Sequence, residues 1–435
     1  MKLNIILVIM VIIGIIIFKM YNYVGLILFL GVLIILELSF YLLVTHLRRK
    51  FQWLITPKDE IPKIDKKGLA KFIKHGYDPE LGWVRKPNTF HDEYESSRKT
   101  RYHIDDKGSR VNPNQGALSN VISCYGDSFT FCRKVNDDET WQYYLSELAN
   151  IWVLNFGVGN YGIDQALLRM KREYPKNKSK IVIMGIVPST IVRILCVWKH
   201  YNEFGNTFGF KPRFKLKGKK LVLIKNIIDD EEKFYHLDKY IKKLQENDYF
   251  YTTKFKKEII KFPYFLSILT NVRRNIPLIS SIIWTDIFKK TKSIYDLSTY
   301  NSALEIIMRI NLELRYKLFK NPKAVKLLSK IIDEFIVYSK EQNFIPILLF
   351  LPQKDDVLFI KNKEFYYKKF IQKKSKKLLT IDLTNYFLKT SNLDEFYSAD
   401  SKYGDHLNKS GNKFVAQVIY DVLRERGLLD GKAKN

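Results

Sequence analysis

Cysteine is scarce: Cys124, Cys132 and Cys196 are the only three among 435 residues. An odd, widely spaced set without metal-type spacing excludes a disulfide framework and a cysteine-based zinc site. Cys124 reads as a small core residue. Cys132 follows closely on Ser128 with no base near it in sequence, and reads as a packed thiol. Acidic side chains are also few, 45 against 73 Lys and Arg, for a net charge of +28. Charge of that sign suits nucleic acid. The lysines are scattered through residues 171–180, 211–225, 254–261 and 361–377, however, and form no recognisable nucleic-acid module. The expectation is a Lys-rich solvated surface, suited to anionic lipid, with no nucleic-acid partner. His75, His91 and His103 lack acidic or cysteine partners at ligand spacing and read as surface or structural residues. No metal and no cofactor is expected.

Long apolar runs, by contrast, are present at the start of the chain. Residues 5–18 are unbroken apolar sequence, and residues 24–44 form a second run interrupted by glycines, Glu37 and Ser39. The second can span about 30 Å of hydrocarbon, and the first can do so with its flanking residues. Only Lys19-Met20-Tyr21-Asn22-Tyr23 separates them, so residues 1–50 are expected to form a transmembrane helical hairpin. No small-residue cleavage site follows the first run, which argues against a removed signal peptide. Lys2 at one end and Arg48-Arg49-Lys50 at the other, against a single Lys19 between, place both ends on the cytoplasmic side of a multi-pass cell-membrane protein, with the large domain there too. Glu37 would be costly against lipid and is expected to face the other helix or a polar partner.

Residues 51–118 read as a juxtamembrane linker and a turn-rich approach to the folded domain, with Tyr77-Asp78-Pro79-Glu80-Leu81-Gly82-Trp83 as its clearest turn signal. An apolar run then stops abruptly at Gly126-Asp127-Ser128. Residues 121–125 have the β-branched and aromatic content of a buried strand, and Ser128 falls just past its carboxyl end, where open α/β sheets bind ligands. The plainer reading of the same residues is an Asp-Ser turn after a strand.

A capping stretch, Asp137-Asp138-Glu139-Thr140, precedes Trp141, Tyr144, Leu145 and Leu148 at helical spacing. Residues 152–156 form the next expected strand. It ends in Asn155-Phe156-Gly157-Val158-Gly159-Asn160-Tyr161-Gly162, whose glycine spacing matches neither a dinucleotide fingerprint nor a P-loop. A helix is expected over 164–172 and a strand over 181–186, leading into Val187-Pro188-Ser189-Thr190. This alternation predicts an α/β fold with a parallel sheet. It lapses over about 200–320, read as a large, mainly helical insertion and a source of specificity. It resumes with Asn321-Pro322 as a helix start, strands over 345–351 and 378–383, and Asp405-His406-Leu407-Asn408 before a last amphipathic helix.

These stretches, in this order, resemble the SGNH hydrolases, the GDSL-type esterase family. Gly126-Asp127-Ser128-Phe129 is similar to the nucleophile block, residues 155–162 to the second block, residues 182–193 stand in place of the third, and His406 with Leu407, Asn408 and Gly411 is similar to the last. The resemblance covers residues 119–200 and 320–425 and implies a three-layer α/β/α, flavodoxin-like domain over 119–435. It also implies acyl-ester chemistry with Ser128 as nucleophile, His406 as general base, and an oxyanion or substrate-binding set of Asn160, Thr190 and Gly159. Three positions depart from the family pattern. Asn160 stands where the oxyanion glycine belongs, and Asn tolerates left-handed angles. Thr190 is nearest to the missing asparagine of the third block. Tyr403 occupies the place of the aspartate three residues before His406, leaving Asp405, with Asp400 close behind, as the residue to orient the imidazole.

The expected function is a membrane-anchored serine esterase or O-acyl (acetyl) hydrolase acting on an acylated carbohydrate or glycolipid. The alternatives are a catalytically weak or inactive scaffold of the same fold in envelope-polysaccharide assembly, and an O-acyltransferase.

Overall fold

The computed structural model describes residues 2–50, 53–94, 98–114, 120–288, 297–398 and 405–429. They form two compact units, one of Met1–Ile64, Trp198–Thr207 and Leu237–Ile310, the other of Asp65–Val197, Phe208–His236 and Asn311–Asn435.

The first unit opens with helix α1 (Lys2–Lys50), whose backbone leaves the helical region at Asn22 (φ 57°, ψ −154°). Among the described residues it is the one helix long and apolar enough to cross a membrane, over Ile9–Arg48. Its Ile and Leu side chains are mostly exposed as far as Leu42, and a helix apolar all round needs an apolar surrounding. From Val44 onward it joins a core with Leu47, Trp53, Leu54, Ile260, Ile268, Leu278 and Ile282. The Arg48 guanidinium grips Asp59 through both carboxylate oxygens, at 2.6 and 2.8 Å. The start of the expected linker is therefore packed, because its apolar Trp53-Leu54-Ile55 is buried in a short turn closed by that ion pair.

The second unit is built on a mixed α/β plan around five parallel strands: β1 (Asn120–Gly126), β2 (Trp152–Gly157), β3 (Ile181–Ile186), β4 (Ile345–Phe350) and β5 (Leu379–Asp382). Their order is β2-β1-β3-β4-β5. The chain steps outward from β1 to β2 and then back past β1 to β3, so the connections leave β1 and β3 in opposite directions. Open α/β sheets bind ligands at the carboxyl edge where such a reversal falls, and Ser128 lies at that edge, two residues past β1. Every residue of β3 is buried, as a strand covered on both faces requires. One face packs Ile122, Cys124, Ile183 and Leu349 against Trp141 and Leu145 of α2 (Trp141–Ala149). Val415 and Ile419 of α5 (Lys409–Glu425) complete that layer. The other face is covered by α3 (Ile163–Glu173) and α4 (Pro322–Gln342). Asn321 caps α4 with Pro322 at its first position.

The region expected as one helical insertion is divided between the units. The helices Leu237–Asn247, Tyr264–Thr270 and Val272–Phe288 fall in the first. The second takes an antiparallel hairpin, Arg213–Lys217 with Lys220–Ile224, closed by Gly218 at φ 64°. A two-residue turn with a left-handed glycine is what such a hairpin requires.

Candidate active site

The site starts from a row of glycines. Gly126 at the end of β1 pairs with Gly157 of β2 on one side and Gly185 of β3 on the other. Without side chains there, the helical turn Ser128–Phe131 can lie directly on the sheet edge. A Cβ on Gly126 would stand 2.1 Å from Thr130 Oγ1, and one on Gly157 would stand 2.3 Å from the Phe131 backbone nitrogen. The second obstacle is main chain and can yield only by lifting the turn. Gly157→Ala is therefore expected to cost roughly 1–3 kcal/mol or more. Gly159→Ala, where a Cβ meets open space, should fall within about 0.5 kcal/mol of the parent. Paired denaturant melts check this, and equal midpoints for the two variants would refute the close fit.

Asp127 caps the turn: its Oδ1 accepts from the Phe129 N–H at 2.9 Å and its Oδ2 accepts from Arg193 Nη1 at 2.9 Å. Burial pushes the Asp127 carboxyl up, against the pull of the Arg193 guanidinium beside it. Arg193 also donates to the Tyr161 carbonyl at 3.0 Å, which ties the glycine-bearing loop after β2 to the Ser128 turn. Behind the turn, the loop Phe131–Val135 is held by Arg110, discussed below. Trp83 Nε1 donates to the Gly159 carbonyl at 2.9 Å, and the Tyr161 hydroxyl donates back to the Trp83 carbonyl. The turn-rich segment around Trp83 is thus a prop for the site, as is Arg110, and Arg193 stands at the end of residues 182–193. No local pattern marks any of the three.

Ser128 and His406, 278 positions apart, come together with His406 Nε2 at 2.8 Å from Ser128 Oγ. The His406 loop is pinned by a short bridge, with the Ser398 N–H donating to the His406 carbonyl at 2.9 Å and the Asn408 N–H to the Phe396 carbonyl at 3.0 Å. Asn408 then caps α5 by accepting from the Gly411 N–H. Phe129 packs its ring 5.0 Å from the imidazole. Removal from water, reinforced by Arg133, Lys134 and Arg193, holds His406 well below the usual histidine value, so the ring is neutral and able to accept a proton at pH 7.

The remaining sequence-predicted residues are placed as follows. Asp405 is buried. It accepts from the Ser398 hydroxyl at 3.4 Å and lies 3.6 Å from Lys354 Nζ and 3.9 Å from Lys134 Nζ. The His406 Nδ1 has no hydrogen-bond partner among the described residues, and Asp400 and Tyr403 lie outside them. Asn160 is exposed at φ 67°, in the left-handed region, next to Gly159. Thr190 is buried, and its hydroxyl accepts from the Ile163 N–H at 2.9 Å, at the start of α3. Ser128 opens its helical turn, where an N–H has no acceptor within the helix. Among the described residues no group of three or more His, Cys, Asp or Glu could hold a metal ion, and the three cysteines are buried and form no disulfide.

No family model matches the chain, and no curated protein does. Among solved structures, the chain is similar to one from Desulfitobacterium hafniense DCB-2 described as "a putative lipolytic protein of G-D-S-L family". The identity is 14% and the TM-score 0.32, over 70% of this chain and 100% of that one. At that level of likeness, the reading of the site rests on its geometry.

Proposed function

We propose that the chain is a membrane-anchored serine esterase or O-acyl hydrolase, with Ser128 as nucleophile and His406 as its general base. The observation that carries this is the 2.8 Å contact between Ser128 Oγ and a neutral imidazole, at the sheet edge where the strand order reverses. A serine hydroxyl becomes a useful nucleophile when such a base takes its proton. In this reading Ser128 attacks the acyl carbonyl, its proton passes to His406 Nε2, and the tetrahedral oxyanion faces the backbone N–H groups of Ser128 and Asn160. His406 then protonates the leaving alcohol, and water repeats the sequence on the acyl-serine. The strand order and the helices on both faces support a three-layer, flavodoxin-like domain of the SGNH type. An acylated carbohydrate or glycolipid is the substrate class that this resemblance and the anchor favour.

The anchor is read as a two-span hairpin with both ends cytoplasmic. A methyl placed on Gly14 would lie 3.5 Å from the Phe29 ring, whereas fifteen residues of straight helix would separate them by about 22 Å. The break at Asn22 supports a chain that doubles back there.

Fluorophosphonate labelling of the full chain tests the nucleophile. Modification of the wild type, absent from Ser128→Ala, is expected, and failure of the wild type to label would remove the serine-hydrolase reading. A second reading, a weakly catalytic member of the same fold, is favoured by a His406 Nδ1 that has no hydrogen-bond partner among the described residues and by the engagement of Thr190 with Ile163. It predicts labelling with slow turnover.

The acid limb of kcat/KM is expected below pH 6.5, because a proton must be forced onto His406. Arg133→Gln should move that limb upward. The same shift bears on stability. Below pH 6.5 the unfolded chain takes up a proton that the folded site refuses, so His406 lowers stability as pH falls toward its folded-state value and imposes no penalty above. A limb at or above 6.5 would contradict the burial argument.

A further inference from the structure

Glu37 is the one carboxylate in the second apolar run of α1, and its partner comes from far along the chain. Its Oε1 accepts from the Tyr264 N–H at 2.5 Å and its Oε2 from the Phe265 N–H at 3.0 Å. These are the first two residues of the helix Tyr264–Thr270, so the carboxylate satisfies donors that a helix start leaves open. Phe40 packs on Phe265 and Tyr41 on Tyr264, at ring separations of 5.6 and 5.4 Å. Glu37 lies seven residues before Val44, where α1 enters the core of its unit, a distance of about 10 Å along the helix axis. The side chains around it on α1, Ile34, Leu38 and Leu42, are exposed and apolar. An ionisable residue at such a depth is expensive unless paired, and here the pairing draws a second stretch of chain down to its level.

That stretch is shaped for an apolar medium. Phe262, beside Pro263, is 73% exposed. Between this segment and α1 runs a groove of about 900 Å³, lined almost wholly by apolar side chains, among them Phe18, Phe29, Leu33, Phe262 and Leu266. On either side of Phe262–Leu266 along the chain, Lys256, Lys257, Lys261 and Arg273 are exposed, basic groups suited to anionic headgroups.

We propose that Phe262–Leu266 is a membrane-inserted element, held in the bilayer by Glu37, and that acyl chains of bilayer lipid occupy the groove between it and α1. The proposal rests on the membrane-anchor reading above and adds to it a second point of contact with lipid. An apolar element of this kind lies about 5–10 Å into the boundary of headgroups and acyl chains, in keeping with the depth of Glu37.

The test uses the full chain reconstituted in vesicles of phosphatidylcholine and phosphatidylglycerol, with a nitroxide on Phe262→Cys. The native thiols are buried, so the label is directed to position 262. Collisions with oxygen should exceed those with a water-soluble nickel chelate at 262, as they should at a control label on Leu30→Cys. A nickel-favoured 262 with an oxygen-favoured 30 would overturn the insertion while leaving the anchor intact. A nickel-favoured label at both positions would overturn the anchor reading and the insertion with it. Glu37→Ala should shift the label at 262 toward nickel, and an unchanged ratio would remove Glu37 from the role assigned to it.

Discussion

Ser128→Ala is expected to lower turnover of a small acyl ester by at least about 10², and His406→Ala by a similar factor, with the double variant no worse than either single one. Nucleophile and base act as a unit, so removing the second after the first takes nothing more away. The size of the loss depends on what reaches His406 Nδ1. In a complete triad the serine or histidine is worth on the order of 10⁶ in kcat and the orienting carboxylate alone about 10⁴. A site in which Nδ1 lacks a partner therefore begins with a lower rate and has roughly 10² left to lose. Nδ1 has none among the described residues, and Asp405 is engaged with Ser398 near two lysines. Asp400→Asn separates the cases: a fall of about 10⁴ would mean that this carboxylate orients the ring, and no change would mean a Ser-His pair working alone. Additive losses from Ser128→Ala and His406→Ala would show that the two residues do not share a step.

The parts legible in the sequence were those written locally. Strand β3 spans residues 181–186, as its apolar run indicates, and β1, β2, β4 and β5 differ from their expected limits by one or two residues. Ser128 and His406 are paired by the resemblance to the SGNH hydrolases, and their places, past a strand end and before a helix, suit one edge of a parallel sheet. The supports of the site were hidden for the opposite reason. Asp127 and Arg193 are 66 positions apart, and nothing around Val187-Pro188-Ser189-Thr190 shows that Arg193 reaches back to the carboxylate that caps the Ser128 turn. Thr190 stood in the expected place in the chain, but its hydroxyl serves the start of α3, a local demand that spacing does not reveal. The antiparallel strands Thr89–Tyr94 and Lys99–Ile104 lie within a turn-rich stretch; Lys99–Ile104 alternates exposed and buried residues, but its partner, with Phe90 62% exposed, carries no such apolar face.

Arg110 is the clearest of these hidden supports, and its loss should be the most damaging to stability. Its side chain is 1% exposed. Nε donates to Asp137 Oδ1 at 2.8 Å, Nη1 donates to the Phe131 and Cys132 carbonyls at 2.9 and 2.7 Å, and Nη2 donates to the Val135 carbonyl at 2.6 Å. One planar guanidinium thus closes the loop that leaves the Ser128 turn, where Cys132 and Lys134 both adopt positive φ. Arg110→Met would take this donor from the Cys132 and Val135 carbonyls, leave the Phe131 carbonyl with only the 3.5 Å contact of Asn155 Nδ2, and strip Asp137 of its buried cation, with His103 its remaining partner. Removing one member of a buried pair costs about 3–5 kcal/mol. Arg110→Lys keeps the charge but cannot reproduce the fork, because an ammonium is a point donor. It is therefore expected to recover part of the stability while fluorophosphonate labelling of Ser128 stays slow. Arg101→Ala, which removes an exposed pair with Asp92, should leave both the melt and the labelling rate close to those of the wild type. If Arg110→Met instead melted with the wild type and labelled at its rate, the loop after Ser128 would have to be held by the glycine row and Asp127 alone.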